Sequence, residues 1–575
     1  MNAINDTLFA ALQNEFHRAC LLALMLIGAV AAHAQVTQGG IAARELQRQS
    51  EREQARRQQL EPGVDVRLPQ STAPDGRITA DETPCFPIRE IRLNDPENLF
   101  SWSLSAADAP GDPATGRCLG SQGVNIAMTR IQNAIVARGF VTTRVLAEAQ
   151  DLTTGTLTLT VIPGRIRSIR FSDDSDARAD AWNAVPARPG DLLNLRDVEQ
   201  ALENMKRAPT AEADIQIVPA EGLGESDLVI TWKQSFPLRL TLSANDGGSD
   251  STGRYQGSAT ISGDHLLTLN DLFYASFNHD LGGGDDGDRG TRGHTVHYSL
   301  PWGYWLMSAT ASANDYHQSV AGASQTYLYS GESSNYEAKL SRLVFRDAAN
   351  KTTLSLRGYL TQSKNFIDDT EVEVQRRRMA GWEASIAHRA FIGKATLDLN
   401  LAYRHGIGAF GALHAPEEVF NEGTARPTLI TTDNTLSVPF AIAGQALRYD
   451  LNWRAQWNRT PLVPQDRFSI GGRYTVRGFD GESILMAERG WLIRNDLSFA
   501  LGESEQEFYV GLDHGEVAGA SAELLIGRSL TGAIVGLRGS YRALSYDVFF
   551  GGPLDKPEYF RTSHRTAGFN LTVSF

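Results

Sequence analysis

The feature that most limits what this chain can fold into is a two-residue alternation running from about residue 234 to the C-terminus. Its clearest stretch spans Leu447 to Asn458. Leu447, Tyr449, Leu451, Trp453, Ala455 and Trp457 fall on one face, and Arg448, Asp450, Asn452, Arg454, Gln456 and Asn458 on the other. Leu397 to Arg404 repeats the pattern, with Leu397, Leu399, Leu401 and Tyr403 against Asp398, Asn400, Ala402 and Arg404. The chain closes on Phe569, Leu571, Val573 and Phe575 against Asn570, Thr572 and Ser574. A side-chain period of two belongs to a β-strand. Strands with an apolar face and a charged face build transmembrane barrels when the apolar face meets lipid. A soluble sandwich alternates too, with its apolar face inward, and alternation alone does not say which face points out.

The other end of the chain helps to choose. Ala19 to Ala32 (ACLLALMLIGAVAA) is an uncharged apolar run behind His17 and Arg18. Ala32-His33-Ala34 is a small-x-small cleavage site, so the mature chain would begin near Gln35. The run is too short to span a bilayer comfortably as a helix and reads as a signal peptide, residues 1–34, rather than a retained anchor. No later stretch is long and apolar enough for a transmembrane helix, so an exported chain that enters a membrane does so as a barrel. The signal peptide, the strand lengths and the terminal aromatic Phe575 favour the membrane. At roughly twenty residues per strand and turn, 234–575 holds about sixteen strands, an even number as such barrels require. Mean hydropathy of -0.27 excludes a helical membrane bundle but not a barrel, which hides its apolar residues at alternate positions. The net charge of -13 argues against nucleic-acid binding.

Between these ends lies a soluble region. Residues 35–60 are polar and helix-prone, with Arg44, Arg48, Arg52 and Arg56 at i, i+4 spacing as a basic stripe on one face. A helix polar all round is either unstable or surrounded by polar walls, so a helix and a disordered linker both remain open here. Residues 61–83, with Pro62, Gly63, Pro69, Pro74 and Gly76, form a linker. An internal repeat follows. Ile88-Arg89-Glu90-Ile91-Arg92-Leu93-Asn94-Asp95 matches Ile166-Arg167-Ser168-Ile169-Arg170-Phe171-Ser172-Asp173. Behind the first copy, Met128, Ile131 and Ile135 share a helical face that Gly139 ends. Behind the second, Asn194 caps a helix with Asp197 in its first turn and a Val198, Leu202, Met205 stripe. Each copy closes on alternating strands, Thr156 to Ile162 and Asp227 to Trp232. The pattern predicts two α+β modules, 84–163 and 164–233. Cys20 leaves with the signal, so Cys85 and Cys118 are an even pair in an oxidising compartment and read as one disulfide.

The sequence shows no catalytic constellation: no H-E-x-x-H, no phosphate-binding loop and no G-x-S-x-G. The twelve histidines are scattered, and His294 and His297, three apart on a strand, point to opposite faces. Gly282 to Asp288 is rich in oxygen ligands but lacks the spacing of a calcium loop and reads as a solvated turn. Neither an enzyme, a metal nor a cofactor is implied. The informative segment is Gly471 to Asp480 (GGRYTVRGFD), within a long loop at about 459–490 between two strand patterns. Downstream, Phe508, Val510 and Leu512 face one way and Asp513 the other, so Asp513 points into the lumen when the apolar side meets lipid. Arg477 is its natural partner, since a guanidinium can hold a carboxylate through two hydrogen bonds. A hydrated loop arginine and a lumen-lining aspartate fit the residues equally.

At this point a resemblance becomes specific. Val476-Arg477-Gly478-Phe479 resembles the V-R-G-F/Y loop of the TpsB transporters of two-partner secretion, the group of FhaC and ShlB. Leu512-Asp513-His514-Gly515 resembles the strand motif that meets it. Gly139-Phe140-Val141-Thr142-Thr143-Arg144-Val145, with Gly155-Thr156-Leu157 to Pro163-Gly164, resembles a first POTRA module. Leu195 to Gln200 and Gly224 to Asp227 resemble a second, and Phe575 a C-terminal barrel-assembly signal. The resemblance spans nearly the whole mature chain. It implies a sixteen-stranded transmembrane β-barrel behind an N-terminal plug helix (35–60) and two POTRA domains that lie in the periplasm. It implies secretion of a large unfolded exoprotein (TpsA) across the outer membrane without nucleotide hydrolysis, with capture by strand augmentation on the POTRA modules. The other implied partners are the barrel-assembly machinery and outer-membrane lipid. Arg477 and Asp513, with Gly515 in the strand motif, are expected to hold the loop inside the barrel, and exchanging the two charges together is expected to restore some secretion lost in each single variant. A barrel-insertion factor of the same superfamily and a diffusion porin are the alternatives. The count of two modules speaks against the first, and their presence at all against the second.

Overall fold

The structure, a computed structural model, describes residues 40–61, 63–70, 72–74, 76–79 and 82–575. The expected signal peptide, with Cys20 and the expected cleavage site, lies outside the described residues. From the described N-terminus the chain forms a helix, α1 (residues 40–60), then an extended segment, two small α+β modules and a closed barrel.

The first module contains β1 (Phe86–Ile88), β2 (Glu90–Asn94), β3 (Arg117–Leu119), α2 (Ser121–Ala137), β4 (Arg144–Leu146) and β5 (Thr156–Ile162). Its sheet runs β2-β5-β4, with β2 parallel and β4 antiparallel to β5. Ala127, Ile131 and Ile135 of α2 share a core with Ile91, Val145, Leu157, Leu159 and Val161. The helix stops where Gly139 takes φ +99°, a conformation glycine enters without strain. The second module contains β6 (Arg165–Phe171), α3 (Leu195–Lys206), β7 (Ala211–Pro219) and β8 (Glu225–Gln234), ordered β6-β8-β7. Asn194 caps α3 by accepting the Arg196 N–H at 2.9 Å, and Val198, Leu202 and Met205 are buried against Ile166, Leu228 and Ile230.

The repeat is therefore structural, with one difference from its sequence form. The first copy does not make one strand. Ile88 ends β1, which pairs with β3, and β2 pairs with β5 instead. The break falls at Arg89, because the N–H groups of Arg89 and Glu90 both donate to the Gly155 carbonyl. In the second copy the register slips at the same place, between Ile166 and Ser168, and the strand continues. Cys85 and Cys118 form a disulfide beside the β1–β3 ribbon.

The barrel closes by pairing of its last strand, Thr566–Ser574, with its first, Leu238–Asn245. One further hydrogen-bonded segment, Thr370–Glu371, only extends a loop, which leaves sixteen wall strands, 8 to 21 residues long. Every neighbouring pair in the wall is antiparallel. The alternation resolves as the membrane pattern requires. Leu399, Leu401, Trp453, Trp457, Val510 and Leu512 are exposed on the outside. Asp398, Arg404, Arg448 and Arg454, from the opposite faces of those strands, make ion pairs in the interior. Phe575 exchanges backbone hydrogen bonds with Leu240 and so helps to close the seam. No described helix is long and apolar enough to cross a membrane.

Candidate functional site: the lumenal loop and the plug

The long loop, 459–488, connects the strands Gln445–Asn458 and Arg489–Ala500 at the end of the barrel away from the modules. It does not extend outward. A short ribbon, Phe468–Ile470 with Leu485–Ala487, turns it back into the barrel. An apolar cluster holds it there: Phe468, Ile470, Val476, Phe479 and Leu485 from the loop pack with Leu492, Val517, Leu530 and Phe560 from the wall and a neighbouring loop. Phe479 meets Phe560 edge-to-face at 5.8 Å between ring centres.

The tip of the loop presents Arg477 to the wall. Asp513 accepts its Nε (2.7 Å), its Nη2 (2.8 Å) and its backbone N–H (3.0 Å). On the other side of the guanidinium, Asp496 accepts Nη2 at 2.5 Å and Nη1 at 3.3 Å. The arginine is thus clamped between two carboxylates, and only 5% of its side chain and 1% of that of Asp513 are exposed. A buried charge needs this kind of compensation, because removing it from water costs several kcal/mol. The network continues through Arg538, which reaches Asp496, Glu507 and Asp450. Arg494 stands 3.8 Å from Asp513.

Glycines allow the close approach. Gly478 has φ +92°, and a Cβ there would stand 2.6 Å from the Gly552 carbonyl oxygen. A Cβ at Gly515 would press on Ile470 (2.9 Å) and Val476 (3.0 Å), and one at Gly532 would overlap the Arg477 carbonyl. Gly515 therefore serves by having no side chain.

Helix α1 lies inside the lumen against this loop. Arg44 donates to the Glu482 carbonyl at 3.0 Å and Arg48 to the Gly481 carbonyl at 2.5 Å. Arg52 pairs with Glu45 at 2.9 Å, and Arg56 donates to Thr295 Oγ1 of the wall at 2.9 Å. Arg57 reaches Glu337 at 2.6 Å, and Gln49 accepts from Ser333 at 3.0 Å. The basic stripe divides accordingly, its first half addressing the loop and its second half the helix itself and the wall. Past the helix, Asp65 pairs with Lys351 (2.5 Å) and Arg389 on barrel strands, and the Val66 and Leu68 N–H groups donate to Glu203 and Glu199 of α3. The extended segment thus ties the helix to both the second module and the barrel mouth. Beside α1 a cavity of about 840 Å³ remains, lined by Glu51, Arg454 and Arg494 at one end and Asp65, Lys351 and Arg389 at the other.

A barrel carrying an inward loop, a lumenal helix and two duplicated modules narrows the choice of family, and comparison decides it. Residues 224–539 match the family described as haemolysin secretion/activation protein ShlB/FhaC/HecB. The chain belongs to that family. Residues 86–164 match the ShlB-type POTRA domain and 165–219 a further POTRA domain. The chain is 35% identical to outer membrane transporter CdiB-2 of Burkholderia pseudomallei (strain 1026b), over 89% of this chain and 90% of that one. It is 26% identical to hemolysin transporter protein ShlB of Serratia marcescens, over 75% of this chain and 76% of that one. The solved structure of CdiB from Acinetobacter baumannii superposes with a TM-score of 0.80 at 28% identity, covering 93% of this chain and 99% of that one. Members of this family are two-partner secretion transporters of the outer membrane with their POTRA domains in the periplasm, and this chain is one of them. The modules therefore mark the periplasmic end of the barrel, and the loop enters the lumen from the cell exterior.

Sequence reasoning brought Arg477 and Asp513 together but missed Asp496. The signal existed: on the strand Arg489–Ala500, Arg494, Asp496 and Ser498 alternate with Ile493, Leu497 and Phe499. One carboxylate suffices for a guanidinium, so the pattern alone does not call for a second. The third partner also changes the expected result of a charge exchange. Aspartate at 477 would face Asp496, and arginine at 513 would face Arg494, so exchange of 477 and 513 alone leaves two new repulsions.

Proposed function

We propose that this chain carries a large unfolded exoprotein across the outer membrane through a lumen that is closed at rest by α1 and by the loop bearing Arg477. The observation that carries this reading is the clamp of Arg477 between Asp496 and Asp513, together with the direct hydrogen bonds from Arg44 and Arg48 of α1 to that loop. The two closing elements are held by polar contacts in a hydrated lumen, so they can be exchanged for contacts with a passing chain without breaking the barrel wall. The cargo is of the kind handled by the CdiB and ShlB transporters. Capture falls to the POTRA modules. Among the described residues β7, nine residues long, pairs only with β8, which leaves a sheet edge free for an incoming strand. Phe575 serves the barrel-assembly machinery as the end signal, and the exposed apolar belt meets outer-membrane lipid.

The test is secretion of the partner exoprotein with this gene intact, deleted, and carrying Arg477→Ala. Export only with the intact gene, and its loss in Arg477→Ala while the barrel still inserts, supports the reading. Unchanged export on deletion, with depletion of other outer-membrane barrels, would identify an insertion factor instead.

A further inference from the structure

We propose that the second POTRA module is seated in the periplasmic leaflet of the outer membrane, with Trp182 as its lipid anchor. The inference rests on how tightly one segment of that module is built onto the barrel rim. Asn183 is buried, and its Nδ2 donates to the carbonyls of Leu269 (2.5 Å), in a periplasmic turn, and of Pro301 (3.1 Å), at the periplasmic end of a barrel strand. Its Oδ1 accepts from Asn270 (2.9 Å), and its carbonyl accepts the Gly303 N–H (2.7 Å). Arg178 and His265 exchange side-chain-to-carbonyl hydrogen bonds next to it. Ala184, one residue further, is fully buried in the core of the module. The segment is thus fixed at both ends, and the direction of the side chain between them is fixed as well.

That side chain is Trp182, 58% exposed, and it meets Trp302 edge-to-face at 5.0 Å between ring centres. Trp302 ends the strand Arg289–Trp302. His297 and Ser299 of that strand are buried toward the lumen, and Val296 and Trp302 are exposed on the opposite, lipid-facing side. Trp182 therefore continues the lipid-facing belt of the barrel onto a periplasmic domain. The belt around it is apolar: Leu266, Leu267 and Trp305 are all exposed. A cation stands over it, Arg342 at 4.9 Å from the Trp305 ring, where a phosphate headgroup would sit. An indole with an apolar body and one N–H donor favours the boundary between acyl chains and headgroups. Continuity with the barrel's own lipid belt identifies the occupant as phospholipid, not a second protein.

The full chain is reconstituted into vesicles of phosphatidylethanolamine and phosphatidylglycerol, with an environment-sensitive fluorophore on a cysteine at one of three positions. These are Trp182→Cys, Trp302→Cys as the belt reference, and Leu223→Cys as the periplasmic reference. Leu223 is 84% exposed and lies in the turn before β8, the end next to the first module, roughly 30 Å from the rim at about 3.3 Å per strand residue. Spin-labelled phospholipid is expected to quench the probes at 182 and 302 alike and to leave the probe at 223 bright. A probe at 182 that stays as bright as that at 223 overturns the proposal. So does a probe at 182 that is shielded from water yet not quenched by lipid, because protein then covers it. None of these readouts depends on secretion, so the transport reading stands or falls separately.

Discussion

Neutralising Asp513 should release the lumenal loop without unfolding the barrel. Asp513→Asn keeps the volume but removes the charge, and it replaces one of two acceptor oxygens with a donor that faces Arg477. Three hydrogen bonds to the carboxylate, from Nε, Nη2 and the backbone N–H of Arg477, are lost or weakened. Hydrogen bonds to a charged group contribute roughly 1.5–3 kcal/mol each, and breaking a buried pair by removing one partner costs roughly 3–5 kcal/mol. Asp496 still compensates the guanidinium, which places the loss at the lower end, about 3 kcal/mol, or roughly a hundredfold in the undocked population at about 1.4 kcal/mol per decade. Thr475, 3% exposed beside the motif, reports on this population when replaced by cysteine, because Cys85 and Cys118 are tied to each other. Reaction of Thr475→Cys with a membrane-impermeant maleimide should accelerate by that factor when Asp513→Asn is added. Electrophoretic heat-modifiability, which reports the closed wall, should not change. Labelling that stays at background in a folded Asp513→Asn variant would refute the clamp. Asp496→Asn should act in the same direction more weakly, since Asp496 makes only two contacts to Arg477, one of them 3.3 Å long.

Three further outcomes are expected. Replacing Cys85 and Cys118 by serine opens a loop of 33-residue separation, and the chain-entropy argument gives a loss of about 4 kcal/mol in the first module, to be read as a lower urea midpoint for its proteolysis. Hydrogen bonds from Arg167 and then Ser168 hold the Asp227 carboxyl down to about 2, against 3.8 ordinarily, so its stabilisation of the second module is complete above about pH 4 and is lost as pH falls toward 2; Asp227→Asn should flatten that acid dependence of protease resistance. Asp65→Ala removes the pairs with Lys351 and Arg389 and should weaken retention of α1 by about 1 kcal/mol, a roughly fivefold larger open fraction in planar-bilayer conductance records.

How much of this could be read in advance depends on the range of the interactions involved. The cap at Asn194, the stop at Gly139 and the stripe of Val198, Leu202 and Met205 involve residues within a few positions of one another, and each stands where local chemistry puts it. The same is true of the barrel strands, since lipid outside and water inside oblige every strand to alternate. The break at Arg89 was not legible, because it depends on the Gly155 carbonyl more than sixty residues on. Helix α1 was equally ambiguous. Its sequence is polar on every side, and what it docks against is Ser333, Glu337 and Thr295, brought around it only when the barrel closes. Trp182 carried no signal at all until Trp302 was placed beside it.

The sequence by itself determined the alternating wall, the duplicated modules, the cysteine pair and the two motifs that carry Arg477 and Asp513. Only the tertiary structure decided that the loop turns inward, that Asp496 shares the arginine, that α1 touches the same loop, and that Trp182 of the second module meets Trp302 of the barrel. The physical reason is the same in each case. Periodicity, caps and turns are set by neighbours along the chain, whereas a buried charge takes whichever partner the closed barrel brings within 3 Å, and that partner is specified by strand register rather than by any local pattern.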